Sequence, residues 1–342
     1  MTLPTNVMPS EHDRYDPSVI LGISPPSARD GKHMSTLPIA DGLEEDRYET
    51  AREANATEEA KMTDAIELPS VMHRVGMESE PWAIDAENLD ALIKRGLAAF
   101  NLLCSGRITA GKIYRDGRKR QIARLKPRGN VGILSLGGPL LKYETWLSGA
   151  LGMETYETLR HDLSVLLEED RIKSVLLNVD TPGGEVNGCS EFAYAVHEAR
   201  KTKPVCAYVS GQASGAGYWI ASAAERIIAS PSATVGPINV TVAGPKQQGY
   251  REGESRNEYF TAQAPGFADQ QKPAIWGAFD HQKIVNDIAG VIVNSAAGYR
   301  GMDAGALADA IGYDRQLAGA AAVNAGIADE IASFDEVLAR LQ

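Results

Sequence analysis

Cysteine is scarce in this chain of 342 residues, with Cys104, Cys189 and Cys206 the only three. Their odd number and scattered positions exclude a disulfide framework and offer no metal-ligand spacing, which points to a reducing compartment and no bound metal. Basic charge is also in deficit. The 34 Lys and Arg residues stand against 45 Asp and Glu, a net charge of −11, and this balance argues against nucleic acid as a general partner. No apolar run is long enough to cross a membrane, and the first thirty residues mix prolines with Glu11, Asp13, Arg14 and Asp16 where an export signal would be apolar. Apolar residues are plentiful at 44% of the chain, enough to bury an enzyme-sized core.

The organisation is uneven along the chain. Between Asp41 and Asp64 nine acidic residues face only Arg47, Arg52 and Lys61, so residues 1–75 are expected to be a flexible acidic arm. Residues 76–129 read as an accessory helix and a basic connector. From Pro81 to Ser105 the residues Trp82, Ile84, Leu89, Leu92, Ile93, Leu97 and Phe100 recur at helical spacing, with Asp85 or Asn88 as a cap. Between Lys112 and Arg128 eight Lys or Arg residues meet the single Asp116, without the interleaved aromatics of an RNA-binding stripe.

Residues 130–342 carry the folded body. Apolar runs at Val131–Leu136, Ser174–Val179, Val205–Val209 and Arg226–Ala229 alternate with helical patterns at 156–168 and 188–201 and from the second glycine turn to Ala224. That alternation predicts an α/β fold with buried parallel strands covered by crossover helices. Further helices are expected over 273–297, 304–311, 317–326 and 334–341.

Two glycine-bearing turns interrupt this pattern, Asp180-Thr-Pro-Gly-Gly-Glu-Val and Gln212-Ala-Ser-Gly-Ala-Gly-Tyr-Trp. Each follows a strand, where open α/β sheets place their ligand sites. Gly183 and Gly184 let backbone N–H groups approach a carbonyl oxygen, as an oxyanion hole requires. Ser214 begins a helix among small residues, as either a nucleophile or a helix cap. His161, His197 and His281 show no spacing that marks a Ser-His-Asp triad.

Together with Ala221-Ser-Ala-Ala-Glu, Val235-Gly-Pro-Ile-Asn-Val and the segment from Ala320 to Asp329, these turns resemble the signal peptide peptidase A family of serine proteases, peptidase family S49, and its phage head-protein branch. The resemblance implies a ClpP/crotonase-like spiral of ββα units, peptide-bond hydrolysis by a Ser-Lys dyad without metal or cofactor, and a homo-oligomer. It also implies a peptide or protein substrate such as a phage scaffold or portal protein, and a place in the cytoplasm of a bacterial host or in the procapsid.

Carried over position by position, the family's nucleophile falls three residues before Tyr218, on Gly215, with Ser214 one residue early. The family's base lysine falls near Pro265 to Phe267, where the chain has none. Lys272 is the nearest lysine following this position, and Pro237-Ile238-Asn239 stands where the family carries serine-isoleucine-glycine. The expected roles are therefore Ser214 as nucleophile, Lys272 as proton acceptor, and Gly183 and Gly184 as oxyanion donors. The alternatives are an inactive peptidase-fold component of the phage head and an acyl-thioester enzyme of crotonase type.

Overall fold

A computed structural model describes residues 81–105, 127–244, 258–262, 281–311 and 315–342. The elements run β1 (Pro81–Ile84), α1 (Ala86–Cys104), β2 (Val131–Gly137), α2 (Trp146–Leu151), α3 (Tyr156–Glu168), β3 (Ser174–Thr181), β4 (Gly183–Glu185), α4 (Cys189–Ala199) and β5 (Val205–Ala213). They continue with α5 (Ala216–Ser222), β6 (Arg226–Ala229), β7 (Thr234–Val235), β8 (Val240–Gly244), β9 (Glu258–Ala262), α6 (His281–Arg300), α7 (Ala304–Ile311), β10 (Leu317–Ala318), α8 (Gly319–Asn324), β11 (Glu330–Ile331) and α9 (Phe334–Leu341).

The larger sheet has seven strands. β2, β3 and β5 pair in parallel, β5 pairs in parallel with both β6 and β7, β11 joins β6 in parallel, and only β10 runs antiparallel, against β7. Strand pleating sorts the apolar runs to two sides. Leu134, Leu136, Val175, Leu177, Val179, Ala207 and Val209 enter the main core, while Ile133, Leu176, Cys206 and Tyr208 enter a second cluster closed by Val337 and Leu338 of α9. Covered on both faces, the strands can be continuously apolar, as in parallel sheets generally. The expectation of a mixed α/β fold with a largely parallel sheet is met.

Helix α3 spans the predicted residues, with Leu159, Leu163 and Leu166 buried at helical spacing. Helix α9 starts with a reciprocal cap, in which Ser333 Oγ accepts from the Glu336 N–H at 3.4 Å and Glu336 accepts from the Ser333 N–H at 2.8 Å. Because this helix seals one face of the sheet, Ser333→Ala is expected to destabilise the protein by about 1 kcal/mol in chemical denaturation.

Two local expectations are corrected. Trp82 and Ile84 lie in a strand and not on the helix that follows. Asp85 makes the break: its Oδ1 accepts the Asn88 N–H at 2.8 Å, capping α1 from just beyond β1. The expected helix over 317–326 is likewise a two-residue strand followed by the shorter α8. Of the helix expected over 273–297, residues 273–280 lie outside the described residues, and α6 carries the rest to Arg300.

β1 enters a second sheet, of order β4-β1-β8-β9, antiparallel throughout. It lies between β4, which is formed by the glycines of the first turn, and β8, which follows the Val235–Asn239 segment. The strand therefore lies directly over the point where the motifs meet.

Candidate functional site

The two turns are stitched together by backbone N–H groups of the second turn donating to the first. Asp180 Oδ1 accepts the Gln212 N–H at 3.1 Å, and the Thr181 carbonyl accepts the Ser214 N–H at 3.2 Å. The third motif closes on the second turn, with the Gly236 N–H on the Ala213 carbonyl at 2.9 Å and the Gly215 N–H on the Pro237 carbonyl at 2.9 Å. Three segments singled out separately in the sequence thus converge at the carboxyl ends of β3 and β5, the expected end of such a sheet.

Ser214 is 2% exposed, and its hydroxyl donates to the Gly236 carbonyl at 2.7 Å. A nucleophilic hydroxyl has to face its base and the substrate carbonyl; this one is spent on the backbone of the neighbouring segment. Gly215 follows with φ 51° and ψ −118°, the sharp strand-to-helix turn on which the nucleophilic serine of α/β-hydrolases sits. The position that the family resemblance marks thus has the backbone of a nucleophile elbow and carries no side chain.

The space such a side chain would need is taken by β1. A Cβ added to Gly215 would lie 2.0 Å from the Ala83 carbonyl oxygen and 2.6 Å from the Ala83 carbonyl carbon. A Cβ on Gly183, whose φ is 123°, would lie 2.0 Å from the same oxygen. One peptide carbonyl of β1 therefore rests between the two glycines. In the register of β1 on β4, Ala83 pairs with Gly184, and the Val186 N–H donates to the Pro81 carbonyl at 3.1 Å. The alternation of an antiparallel ladder makes Ala83 and Gly184 the next hydrogen-bonded pair, with the Gly184 N–H facing the Ala83 carbonyl. The Gly183 N–H donates to Thr181 Oγ1 at 3.1 Å. Of the two expected oxyanion donors, then, Gly184 faces a carbonyl and Gly183 is engaged within its own turn.

Ala83 is the site residue missed by sequence reasoning. Its place depends on pairing with Gly184 and on Gly183 and Gly215, about a hundred residues or more along the chain, which no local pattern around Trp82 and Ile84 records.

Lys272, the expected proton acceptor, lies outside the described residues. On the far side of β4 the main-chain N–H of Lys142 donates to Glu185 Oε2 at 2.5 Å, and the Tyr156 hydroxyl donates to the Glu185 carbonyl at 2.8 Å. A cavity of about 360 Å³ opens there between Lys142, Tyr156, Arg160 and Glu191. The Tyr143 side chain, whose ring centre lies 4.8 Å from the Lys142 ammonium, holds that group above its ordinary range, opposite to the shift that makes lysine a base. Burial pushes the Cys189 and Cys206 thiols up, and His197 contacts Arg200 at 3.1 Å and the Tyr299 ring. Among the described residues no group of three His, Cys, Asp or Glu side chains is placed to hold a metal ion, and no helix is long and apolar enough to cross a membrane.

Known proteins resemble parts of this chain. Residues 197–251, which include the second turn, match the model of peptidase family S49. The chain is 30% identical over 128 residues to the capsid assembly protease C of Escherichia phage lambda, covering 37% of this chain and 29% of that protein. It is 26% identical over 130 residues to the head-tail preconnector protein of Enterobacteria phage P21, covering 38% and 26%. Protease 4 of Salmonella typhi is 30% identical over 113 residues, covering 33% and 18%. The matched stretch spans less than a third of the length of each of these relatives. Over residues 197–251 the chain is thus similar to peptidase family S49, and a phage capsid assembly protease and a phage head-tail preconnector protein are among the sequences it resembles.

Proposed function

We propose that this chain is a peptidase-fold component of a phage head that holds extended protein segments during procapsid assembly without hydrolysing them. In this reading residues 130–342 form a ClpP/crotonase-like body of ββα units that works as a homo-oligomer in the bacterial cytoplasm or the procapsid. Residues 1–75 and 76–129 are its accessory parts, the second lending β1 to the body. The observation that carries it is the pairing of an elbow without a side chain at Gly215 with a Ser214 hydroxyl bound to the Gly236 carbonyl at 2.7 Å. Its protein partners are a phage scaffold or portal protein, in keeping with the assembly and preconnector names of the phage relatives.

The competing reading is a serine endopeptidase of procapsid maturation, with Ser214 as nucleophile and Lys272 as base. It requires the hydroxyl to leave the Gly236 carbonyl and turn to the substrate. Incubating candidate head proteins with the chain and with Ser214→Ala separates the two. We expect no processing by either protein; processing by the parent that disappears in the variant would establish hydrolysis. The same variant leaves the buried Gly236 carbonyl without its donor, so it is expected to lose about 1–2 kcal/mol of stability in urea.

A further inference from the structure

The slot between β4 and β8 has the form of a site that accepts a peptide as an added strand. An extended segment bound this way gains affinity from main-chain pairing on its flanks and selectivity from alternate side chains. β1 meets both conditions. It pairs with β4 through Trp82, Ala83 and Ile84 and with β8 through Pro81 and Trp82, and Thr241 Oγ1 donates to the Ile84 carbonyl at 2.6 Å. Its middle carbonyl, on Ala83, rests against Gly183 and Gly215, where a scissile carbonyl would sit in a hydrolytic relative of this site.

The packing around β1 is also partitioned. Ala83 faces the main core, whereas Trp82 and Ile84 join a separate cluster with Leu89, Leu92, Ile93 and Leu97 of α1. From the body, Leu141 and Leu147 enter that cluster. Leu151 and Met153 pack against it as well, so β1 is attached to the body by strand pairing on both edges and the β1–α1 pair by this apolar contact.

We propose that this slot is a peptide-acceptor site which the chain fills with its own Pro81–Ile84, so that the candidate site is self-occluded and opens to another protein segment only when β1 withdraws. The incoming segment is extended, with a small residue whose carbonyl rests against Gly215 and bulky apolar residues on either side, as in Trp82-Ala83-Ile84. The inference rests on the reading above that the body holds extended segments.

The test uses the full chain and a fluorescein-labelled synthetic peptide with the sequence of residues 79–87. Ala83→Asp places a carboxylate in the main core and is expected to unseat β1 while leaving the slot intact. Trp82→Ala weakens the same seating without adding charge. Hydrogen exchange reads both release of 82–85 and protection of 131–137 and 174–181. With β1 released and the body protected, the peptide is expected to bind at least about tenfold more tightly than to the parent chain, because the slot is no longer occupied in cis.

A released slot that binds no peptide would overturn the proposal, as would a parent chain that binds as tightly as the variants. So would β1 amides in both variants as protected as those of β3, or loss of body protection in both, since either makes β1 an inseparable part of the fold. Processing of head proteins by the parent chain would refute the non-hydrolytic reading and leave this binding result unaffected.

Discussion

Gly215→Ala is expected to destabilise the protein by about 4 kcal/mol, as a fall in the urea midpoint. Two costs combine. A residue with a Cβ at φ 51° and ψ −118° is strained by about 1–3 kcal/mol. The added carbon would also lie 2.0 Å from the Ala83 carbonyl oxygen, a backbone atom of a strand paired on both edges, and overpacking of that kind costs about 1–3 kcal/mol. Gly183→Ala meets the same oxygen at the same distance. Since both substitutions displace one carbonyl, the double variant should lose less than the sum of the two. Gly290 in α6 serves as the contrast: a Cβ there meets nothing within 4 Å, and Gly290→Ala should stabilise by about 0.5–1 kcal/mol. A Gly215→Ala protein as stable as its parent would mean that β1 does not press on this turn.

The second large effect is expected at Asp329. The Arg300 side chain, 9% exposed, donates to its carboxylate at 2.6 Å and 2.7 Å, and the Ile227 N–H donates at 2.7 Å. These contacts tie the end of α6 to β6 and to the segment before β11. Burial pushes the carboxyl up, and the Arg300 and Ile227 hydrogen bonds with the Arg300 and Arg226 charges together bring it below its ordinary value of 3.8.

Asp329→Asn leaves Arg300 without its counter-charge in a site that is largely closed to water. A fully buried pair broken in this way costs about 3–5 kcal/mol; with Asp329 28% exposed, about 2–3 kcal/mol is expected at neutral pH. The sign with pH follows from the lowered carboxyl. Its contribution is complete above the ordinary value and fades as pH falls through the lower folded value. The parent's advantage over the Asn variant should therefore hold at about pH 7 and shrink below about pH 3.8, measured as the difference in urea midpoints. A pH-independent difference would show that the charge on Asp329 contributes nothing.

Much of the body was legible because its signals are local. α3, α7 and α9 follow from helical spacing within one segment, and the buried strands β2, β3 and β5 from short apolar runs bounded by turns. Both glycine turns stood out because their residue types are dictated by backbone approach. β1 was not legible. Trp82 and Ile84 read as a continuation of the helical pattern of α1, and the partners of β1, β4 and β8, lie far along the chain, so no neighbouring residue records the pairing. Likewise, the segment from Val235 to Val240 could be recognised as a motif, while its role in holding the Ser214 hydroxyl appears only once Gly236 and Ser214 are brought together. Hydrogen bonds across 22 residues leave no periodicity to read.

The distance of β1 from its partners also bears on the order in which the chain folds. The bond from Thr241 to the Ile84 carbonyl joins residues 157 apart, whereas the main sheet grows by pairing strands that follow one another closely, β2 with β3 and β3 with β5. Closing so long a loop costs entropy that few local contacts offset, so β1 is expected to dock late, onto a body already formed. Until it does, Gly183, Gly184 and Gly215 face an open channel, and a newly made chain passes through an interval in which its cleft is uncovered.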